Sequence, residues 1–513
     1  MSSPQTLSQP HLAVSNRGAV TVSIMLATIM QVLDTTIANI ALPHMQASLN
    51  ATEDTVTWVL TSYIVAAAIM TPVTGWLSDR ITRKGLFLGS VAGFTIASVL
   101  CGVATSLPEM VFFRLLQGIF GAALVPLSQA VLLDINPKER YGQAMAMWGM
   151  GIMVAPIIGP TLGGWLTESY NWRWVFFVNV PVGVLAFLGI LIFLPGDEKR
   201  RRRFDFFGFA MLSLGIGALQ MMLDRGEQQD WFSSLEIWIE FGLAVSGFWA
   251  FLTHSFTSRD PFIHLGIFRD RNFAMGIIFI FVVGIVLLSS LALLPPMLEG
   301  LMGYPVMTAG IVLAPRGIGT MISMMIVGRM VSKIDARALV LLGLMLTAWS
   351  LYLMSEFTIV MTAWPVVISG VVQGLGLGLV FVPLSTLTFA TLPAVHRTDG
   401  TSLFSLVRNV GSSIGISVVA TVLAQYTQAN HAAIASHITP FSLGVATQFP
   451  GLLSRNPLYL SELNGMVTQQ AAMIGYVDDF LLMMYVTLAA VPIVFLLRKP
   501  QHSAAPAEAA VME

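Results

Sequence analysis

The chain has 513 residues, 55% of them hydrophobic and only 10% charged, with a formal net charge of -1. A soluble domain carries about 25% charged residues, so the composition excludes an ordinary soluble enzyme. The balanced charge gives no ground for a nucleic-acid partner or any other partner recognised by net charge. The single cysteine, Cys101, excludes an internal disulfide and reads as a small buried hydrophobe.

Fourteen apolar runs reach spanning length. They lie near 18–42, 55–77, 85–105, 109–132, 142–166, 174–195, 206–223, 235–256, 273–297, 307–329, 338–357, 362–387, 403–425 and 477–497. The first is too long for the apolar core of a signal peptide and ends at Pro43 rather than at a small-residue cleavage site, so it is expected to be retained. It carries one acid, Asp34, in MQVLDTTIANIALP. An ionised Asp at mid-membrane costs about 2.5–3.5 kcal/mol. Gln31, Asp34, Thr35 and Ala38 share one helical face, as a polar strip facing the protein interior requires. Desolvation disfavours the charged form, which suits the group to loading and releasing a proton.

The basic residues alternate with the spans. Arg17; Arg80, Arg83 and Lys84; Lys138 and Arg140; Lys199 to Arg203; Arg259, Arg269 and Arg271; Arg329, Lys333 and Arg337; Arg397; and Arg498 and Lys499 account for 20 of the 26 Lys and Arg. The opposite loops hold Arg173, Arg225 and Arg455. The positive-inside rule then places both termini in the cytoplasm and demands an even number of spans. Trp58, Trp76, Trp172, Trp174 and Trp231 fall near predicted span ends and read as interfacial anchors.

GWLSDRITRK at 75–84 and GRMVSKIDAR at 328–337 are 253 positions apart. Gln117-Gly118 with Val125 to Ser128 matches Gln373-Gly374 with Val382 to Ser385 at 256–257. Six spans fill only about 195 residues, so the two spans at 206–256 are an insertion between two repeats. The predicted order is a tail (1–17), a six-helix bundle (18–195), a basic linker (196–205), two inserted helices (206–256), a second six-helix bundle (273–497) and a tail (498–513). The long polar piece 426–475 within the second bundle reads as an outward loop with an amphipathic patch near Leu460 to Met473.

LDTTIANIALP at 33–43, WVLTSYIVA at 58–66, LDRGEQQDWFSS at 223–234 and FRDRNFAMG at 268–276, together with this layout, carry a resemblance over nearly the whole chain. The chain resembles the major facilitator superfamily and, within it, the fourteen-span drug:proton antiporters of the EmrB/QacA type. The resemblance implies an all-α integral membrane protein of two six-helix bundles and two extra central helices. It implies a proton-coupled multidrug efflux pump for hydrophobic and amphipathic toxic compounds in a bacterial inner membrane, not an enzyme. It needs no cofactor or metal, only the proton gradient. It also implies a periplasmic membrane-fusion adaptor and an outer-membrane channel as partners. A specific metabolite or siderophore exporter on the same fold is the alternative. A membrane enzyme or sensor is disfavoured, because the eight His are scattered and no HExxH or GxSxG occurs.

Several motifs take roles from this resemblance. In 75–84, charge contacts can hold one conformation shut and break in the other. Gly75, Asp79, Arg80 and Arg83 match the superfamily's gate loop, while Thr82 stands where the usual pattern has a second glycine. Arg114 stands where the family carries an arginine implicated in proton transfer. A buried arginine keeps its proton, so it needs an acceptor, which spacing alone does not name. In 151–164, Gly151, Ala155, Gly159 and Gly163 repeat every four residues and leave one helix face bare for close packing, while Pro156 and Pro160 bend the helix. With Gly164, these match the pattern of the superfamily's antiporters. Asp34 matches the first-span motif and is assigned to proton coupling. Gln31, Gln117, Gln129, Arg316 and Gln373 are expected to line a midplane substrate cavity.

Four features take plainer readings. Arg316 lines the cavity or pairs with Glu299, and Asp34 has Arg408 as an alternative partner. Gly374, Gly376 and Gly378 lack the βαβ setting of a dinucleotide loop. Asp478 and Asp479 are expected to open the last span as helix N-terminal charges.

Overall fold

The structure, a computed structural model, describes residues 12, 14–197, 199, 202–331, 333–438 and 457–497. Residues 1–11, 13, 198, 200, 201, 332, 439–456 (with Arg455) and 498–513 lie outside the described residues. Among the described residues all regular structure is helical. In an apolar solvent every backbone N–H and C=O must be satisfied inside its own segment, and the helix does this.

Thirteen helices are long and apolar enough to cross a membrane, and a bent pair makes fourteen. In chain order the spans are Arg17–Ile40, the bent pair Trp58–Met70 and Val73–Ile81, Arg83–Val103, Leu107–Ile135, Lys138–Ser169, Trp174–Phe193, Phe206–Arg225, Leu235–Thr257, Arg271–Leu301, Val306–Met330, Ala336–Ser355, Trp364–Ala390, Ala394–His437 and Leu458–Val494. They are called the first to fourteenth spans below. The second bends by 62° at Pro72, whose ring clashes with the preceding turn and which lacks an N–H. The fourth breaks at Ala122 and Ala123, one turn ahead of Pro126, for the same reason. Large apolar side chains such as Ile192, Trp249 and Ile322 lie on the exposed surface, while Asp34, Arg114, Gln129, Arg316 and Gln373 are buried. This is the distribution lipid demands.

The repeat is a repeat in space. In the first half the first span packs on the fifth and sixth, the second on the fourth, and the third on the fourth and sixth. In the second half the ninth packs on the thirteenth and fourteenth, the tenth on the twelfth, and the eleventh on the twelfth and fourteenth. The halves meet chiefly where the fifth span lies along the tenth. The glycines of the twelfth span belong to this packing: a Cβ on Gly374 would strike the Arg316 carbonyl, and one on Gly376 would lie 2.6 Å from Thr347 Oγ1. Close helix approach explains them.

The inserted seventh and eighth spans pack on each other, and the seventh touches both halves. Asp224 is hydrogen-bonded by Thr61 of the second span. Gln220 Oε1 accepts from Ser413 Oγ at 2.9 Å, and Trp231 Nε1 donates to Thr421 Oγ1 at 2.9 Å, both on the thirteenth span. Trp231 is therefore tied to protein rather than anchored at an interface. Trp172, 5% exposed, is likewise inside; its ring is taken by the Arg173 guanidinium at 4.4 Å.

Two expectations need correction at the far end of the chain. The outward loop is helical at both ends, because the thirteenth span runs on to His437 and the fourteenth helix begins at Pro457. The 44-residue thirteenth helical stretch is about 66 Å long at 1.5 Å per residue, against a hydrocarbon core of about 30 Å. His431 Nε2 and Asn464 Oδ1 lie 3.0 Å apart and tie the two extensions together. The amphipathic patch near Leu460 to Met473 is thus a stretch of helix with a face to pack. Asp478 and Asp479 accordingly lie well inside a helix, not at its start. Asp479 is fully buried, with no hydrogen-bond partner on either oxygen.

Thr82 holds φ +91°, a region that costs a β-branched residue strain and a glycine almost nothing. The glycine of the usual pattern would fit here. Thr82 offsets part of the cost by capping the third span: its Oγ1 accepts from Gly85 N at 3.0 Å. Thr→Gly at a cap loses only a few tenths of a kcal/mol, whereas backbone strain of this kind is worth about 1–3 kcal/mol. Thr82→Gly should therefore stabilise the protein by about 1 kcal/mol, read as a raised midpoint in a thermal melt in detergent. A lowered midpoint would contradict the strain assignment.

Candidate functional site

Asp34 is 1% exposed and lies in the last third of the first span. Its Oδ2 accepts from Arg114 Nη1 at 2.6 Å. Its Oδ1 accepts from Gln117 Nε2 at 2.8 Å and from Asn179 Nδ2 at 2.7 Å. All three contacts are donors, the arrangement an ionised carboxylate takes. Arg114 is 0% exposed and is held in turn by Gln117 Oε1 at 2.8 Å and the Val59 carbonyl at 3.1 Å. The Tyr63 ring covers its guanidinium at 4.6 Å. The pair thus joins the first, second, fourth and sixth spans. The partner of Asp34 is Arg114, not Arg408, which reaches Asn409 instead.

Asn179, Tyr63 and Ser98, whose Oγ also accepts from Asn179 Nδ2 at 2.9 Å, were not singled out by sequence. Each is a polar residue inside an apolar run, and that signal was available. Gln31 adjoins the site through Tyr63 Oη at 3.1 Å. Gln129 does not: it lies farther along the fourth span, with its Nε2 on Met145 Sδ at 3.6 Å. Arg316 and Gln373 meet each other in the second half, where Arg316 Nη2 and Gln373 Nε2 both reach Ser290 Oγ, at 2.9 and 3.3 Å. Arg316 does not pair with Glu299. The five expected cavity residues therefore divide among separate places.

The small-residue face of the fifth span packs on the first. A Cβ on Gly151 would strike Met25, one on Gly159 would lie 2.7 Å from Thr36 Cγ2, and one on Gly163 would lie 3.0 Å from Ile37 Cγ2. Ala155, 0% exposed, completes the seam. Gly164 is outside it, with nothing near. Pro156 and Pro160 sit inside the helix and deprive Ile152 and Pro156 of their carbonyl partners. The other side of the same helix meets the tenth span, where Ile157 fills the space a Cβ on Gly317 would need and Pro160 lies 3.3 Å from that of Gly310. One helix thus touches both the Asp34 span and the opposite half.

The basic loops gather at one end of the bundle, where the halves are closed against each other. Gly75 is pressed on Asp399 of the thirteenth span so closely that no Cβ fits. Asp399 also accepts from Arg202 Nη1 at 3.0 Å. Arg83 and Arg397, one from each half, converge on Asp134, which is 3% exposed. Arg83 N also meets Asp197 Oδ1 at 3.0 Å. Arg80 is exposed, while Asp79 has an interaction of its own. Burial, then the neighbouring Arg202, holds His264 below the ordinary histidine range. Neutral at pH 7, its Nδ1 can accept from Arg202 Nη2 at 3.0 Å. Sequence reasoning found the loop but missed Asp134, Asp399 and Asp197, acids standing among basic residues.

The model of the Major Facilitator Superfamily matches residues 24–416. The chain is 39% identical over 459 residues to the multidrug export protein EmrB of Escherichia coli, covering 88% of this chain and 87% of that one. It is 37% identical over 491 residues to the fatty acid resistance protein FarB of Neisseria gonorrhoeae, covering 94% and 96%. The crystal structure of the human organic anion transporter MFSD10 (TETRAN) shares the fold at TM-score 0.59 and 15% identity, over 91% of this chain and 99% of that chain.

Two outcomes are expected. Removing one member of a buried pair costs about 3–5 kcal/mol, so Arg114→Gln should lower thermal stability by that order. Adding Asp34→Asn should restore about 0.5–3 kcal/mol, and purely additive losses would argue against the pair. Asp134→Ala should open the basic end. Spin labels at the exposed positions 138 and 333, in a Cys101→Ser background, should shift to longer distances, and an unchanged distribution would show that Asp134 does not close it. The fold, the repeat and these relatives together place the chain in the major facilitator superfamily of membrane transporters.

Proposed function

We propose that the chain is a proton-coupled exporter of hydrophobic and amphipathic compounds across a bacterial inner membrane. The observation that carries this reading is the buried Asp34 carboxylate, closed off by Arg114, Gln117 and Asn179. Arg114 cannot give up its proton, so the pair is opened by protonating Asp34. A proton removes the Coulombic attraction and replaces an acceptor with a donor. The first span is then freed from the fourth and sixth. It is seamed to the fifth span through Gly151, Gly159 and Gly163, and the fifth packs on the tenth. Movement at Asp34 therefore reaches the contact between halves, the lever alternating access needs.

The excess of Lys and Arg at one end supports a cytoplasmic placing of that end and of both termini. The ion pairs around Asp134 and Asp399 then act as the cytoplasmic gate, with Gly75 and Arg83 on one side and Arg397 on the other. Asp79 and Arg80 flank it. The proton gradient supplies the energy and no cofactor is required. The names of the relatives support drugs and fatty acids as substrate classes. The helical extensions beyond the thirteenth and fourteenth spans are the surface offered to a periplasmic membrane-fusion adaptor leading to an outer-membrane channel.

Proteoliposomes with an imposed pH gradient test this directly. Wild type should move ethidium or a lipophilic weak acid against its gradient. Asp34→Asn, which cannot exchange a proton, should fall to the rate of empty liposomes while keeping its fold. Gradient-driven transport that persists in Asp34→Asn would overturn the assignment.

A further inference from the structure

Arg316 lies in the tenth span and is 5% exposed. Its Nη2 donates to Ser290 Oγ at 2.9 Å and to the Leu287 carbonyl at 3.2 Å. Its Nη1 has no hydrogen-bond partner, and among the described residues no carboxylate pairs with it. Beside it, Gln373 is 1% exposed and its Oε1 is also unpartnered. The backbone of Arg316 is packed on the twelfth span, where a Cβ on Gly374 would strike the Arg316 carbonyl and one on Gly370 would lie 3.3 Å from Arg316 Cβ. A guanidinium that keeps its proton is thus fixed in the interior without a counter-charge among the described residues, an unfavourable arrangement unless an anion completes it.

The internal repeat says what is missing. Gln117 and Gln373 are 256 positions apart, and so are Asp34 and Ser290. In the first half the Gln117 amide nitrogen and Arg114 both donate to Asp34. In the second half the Gln373 amide nitrogen and Arg316 both donate to Ser290. The arrangement is the same, with a neutral hydroxyl where the first half has a carboxylate. The arginine reaches it from the tenth span instead of from the counterpart of the fourth. Gln373, which shares Ser290 with Arg316, also borders a neighbouring cavity of about 30 Å³ whose other walls include Leu287, Phe279, Leu377, Thr347 and Thr487. The cavity is small and lies beside the Arg316 cluster through their shared Gln373.

We propose that Arg316, with Ser290 and Gln373, is an anion-recognition site in the second half, and that the substrate supplies the carboxylate that Ser290 lacks. The ligand class is a lipophilic acid: a carboxylate on Arg316, with an apolar body among the neighbouring aliphatic and phenyl side chains. The inference rests on the export reading for its biological sense, but the site is defined by binding alone. Because the neighbouring cavity is small, occupancy by a long acid requires the spans around it to part.

Equilibrium binding of radiolabelled laurate to the full chain in nanodiscs, with empty nanodiscs as baseline and dodecylamine as the cationic control, tests it without a proton gradient. Wild type should bind laurate and not the amine. Arg316→Gln should weaken laurate binding at least tenfold, with Arg316→Lys keeping part of it. Ser290→Asp should abolish laurate binding and raise the melting midpoint, because the protein then carries its own counter-charge, so misfolding cannot mimic the result. Absence of wild-type binding, equal binding in Arg316→Gln, or full binding in Ser290→Asp would each overturn the site. Laurate binding that depends on Arg316, in a protein whose transport ignores the pH gradient, would overturn the proton-coupling reading and leave this site standing.

Discussion

A charge inside a membrane protein must be matched where it stands, because lipid and packed side chains offer no water to solvate it. The Asp34–Arg114 pair meets that condition through a shell drawn from the first, second, fourth and sixth spans. The shell ties together the spans that would have to separate for the first half to rearrange. The glycine seam between the first and fifth spans then makes any such rearrangement a matter for both halves. The interior of the first half is built around this interaction, and the proposed coupling acts through it.

The second half repeats the helix arrangement and keeps the glutamine, yet it puts a serine where the acid stands. The two halves therefore carry opposite needs. One holds a completed ion pair, and the other holds an arginine with no counter-charge among the described residues. The inserted seventh span leans on both, through Thr61 on one side and Ser413 on the other.

Most of the architecture was legible in the residues because lipid imposes simple rules. Apolar length gave the spans, alternation of Arg and Lys gave the even count, and the repeated glutamine and gate loop gave two halves with an insertion. The limits of the thirteenth and fourteenth helices were missed because polar, water-facing helix has no hydropathy signal, and Asp479 was misplaced for the same reason. Within the site, Asp34 and Arg114 each stood out as a charge in an apolar run, but their pairing depends on how the first and fourth spans cross, which no local pattern encodes. Gln129 and Gln373 look alike in sequence and differ only in what the fold sets beside them. Asp134 and Asp399 were hidden by their basic neighbours, whose topological reading was sufficient by itself.

The central claim is that protonation of Asp34 and opening of the basic end are one event. Infrared detection of the protonated carboxyl band, isotope-edited for aspartate, can be followed in nanodiscs over a pH titration alongside spin-label distances between positions 138 and 333. The account predicts that a band absent from Asp34→Asn rises with the same midpoint as the distance change, and that Asp34→Asn shows no pH-dependent distance change. A distance change that keeps its midpoint in Asp34→Asn would contradict it.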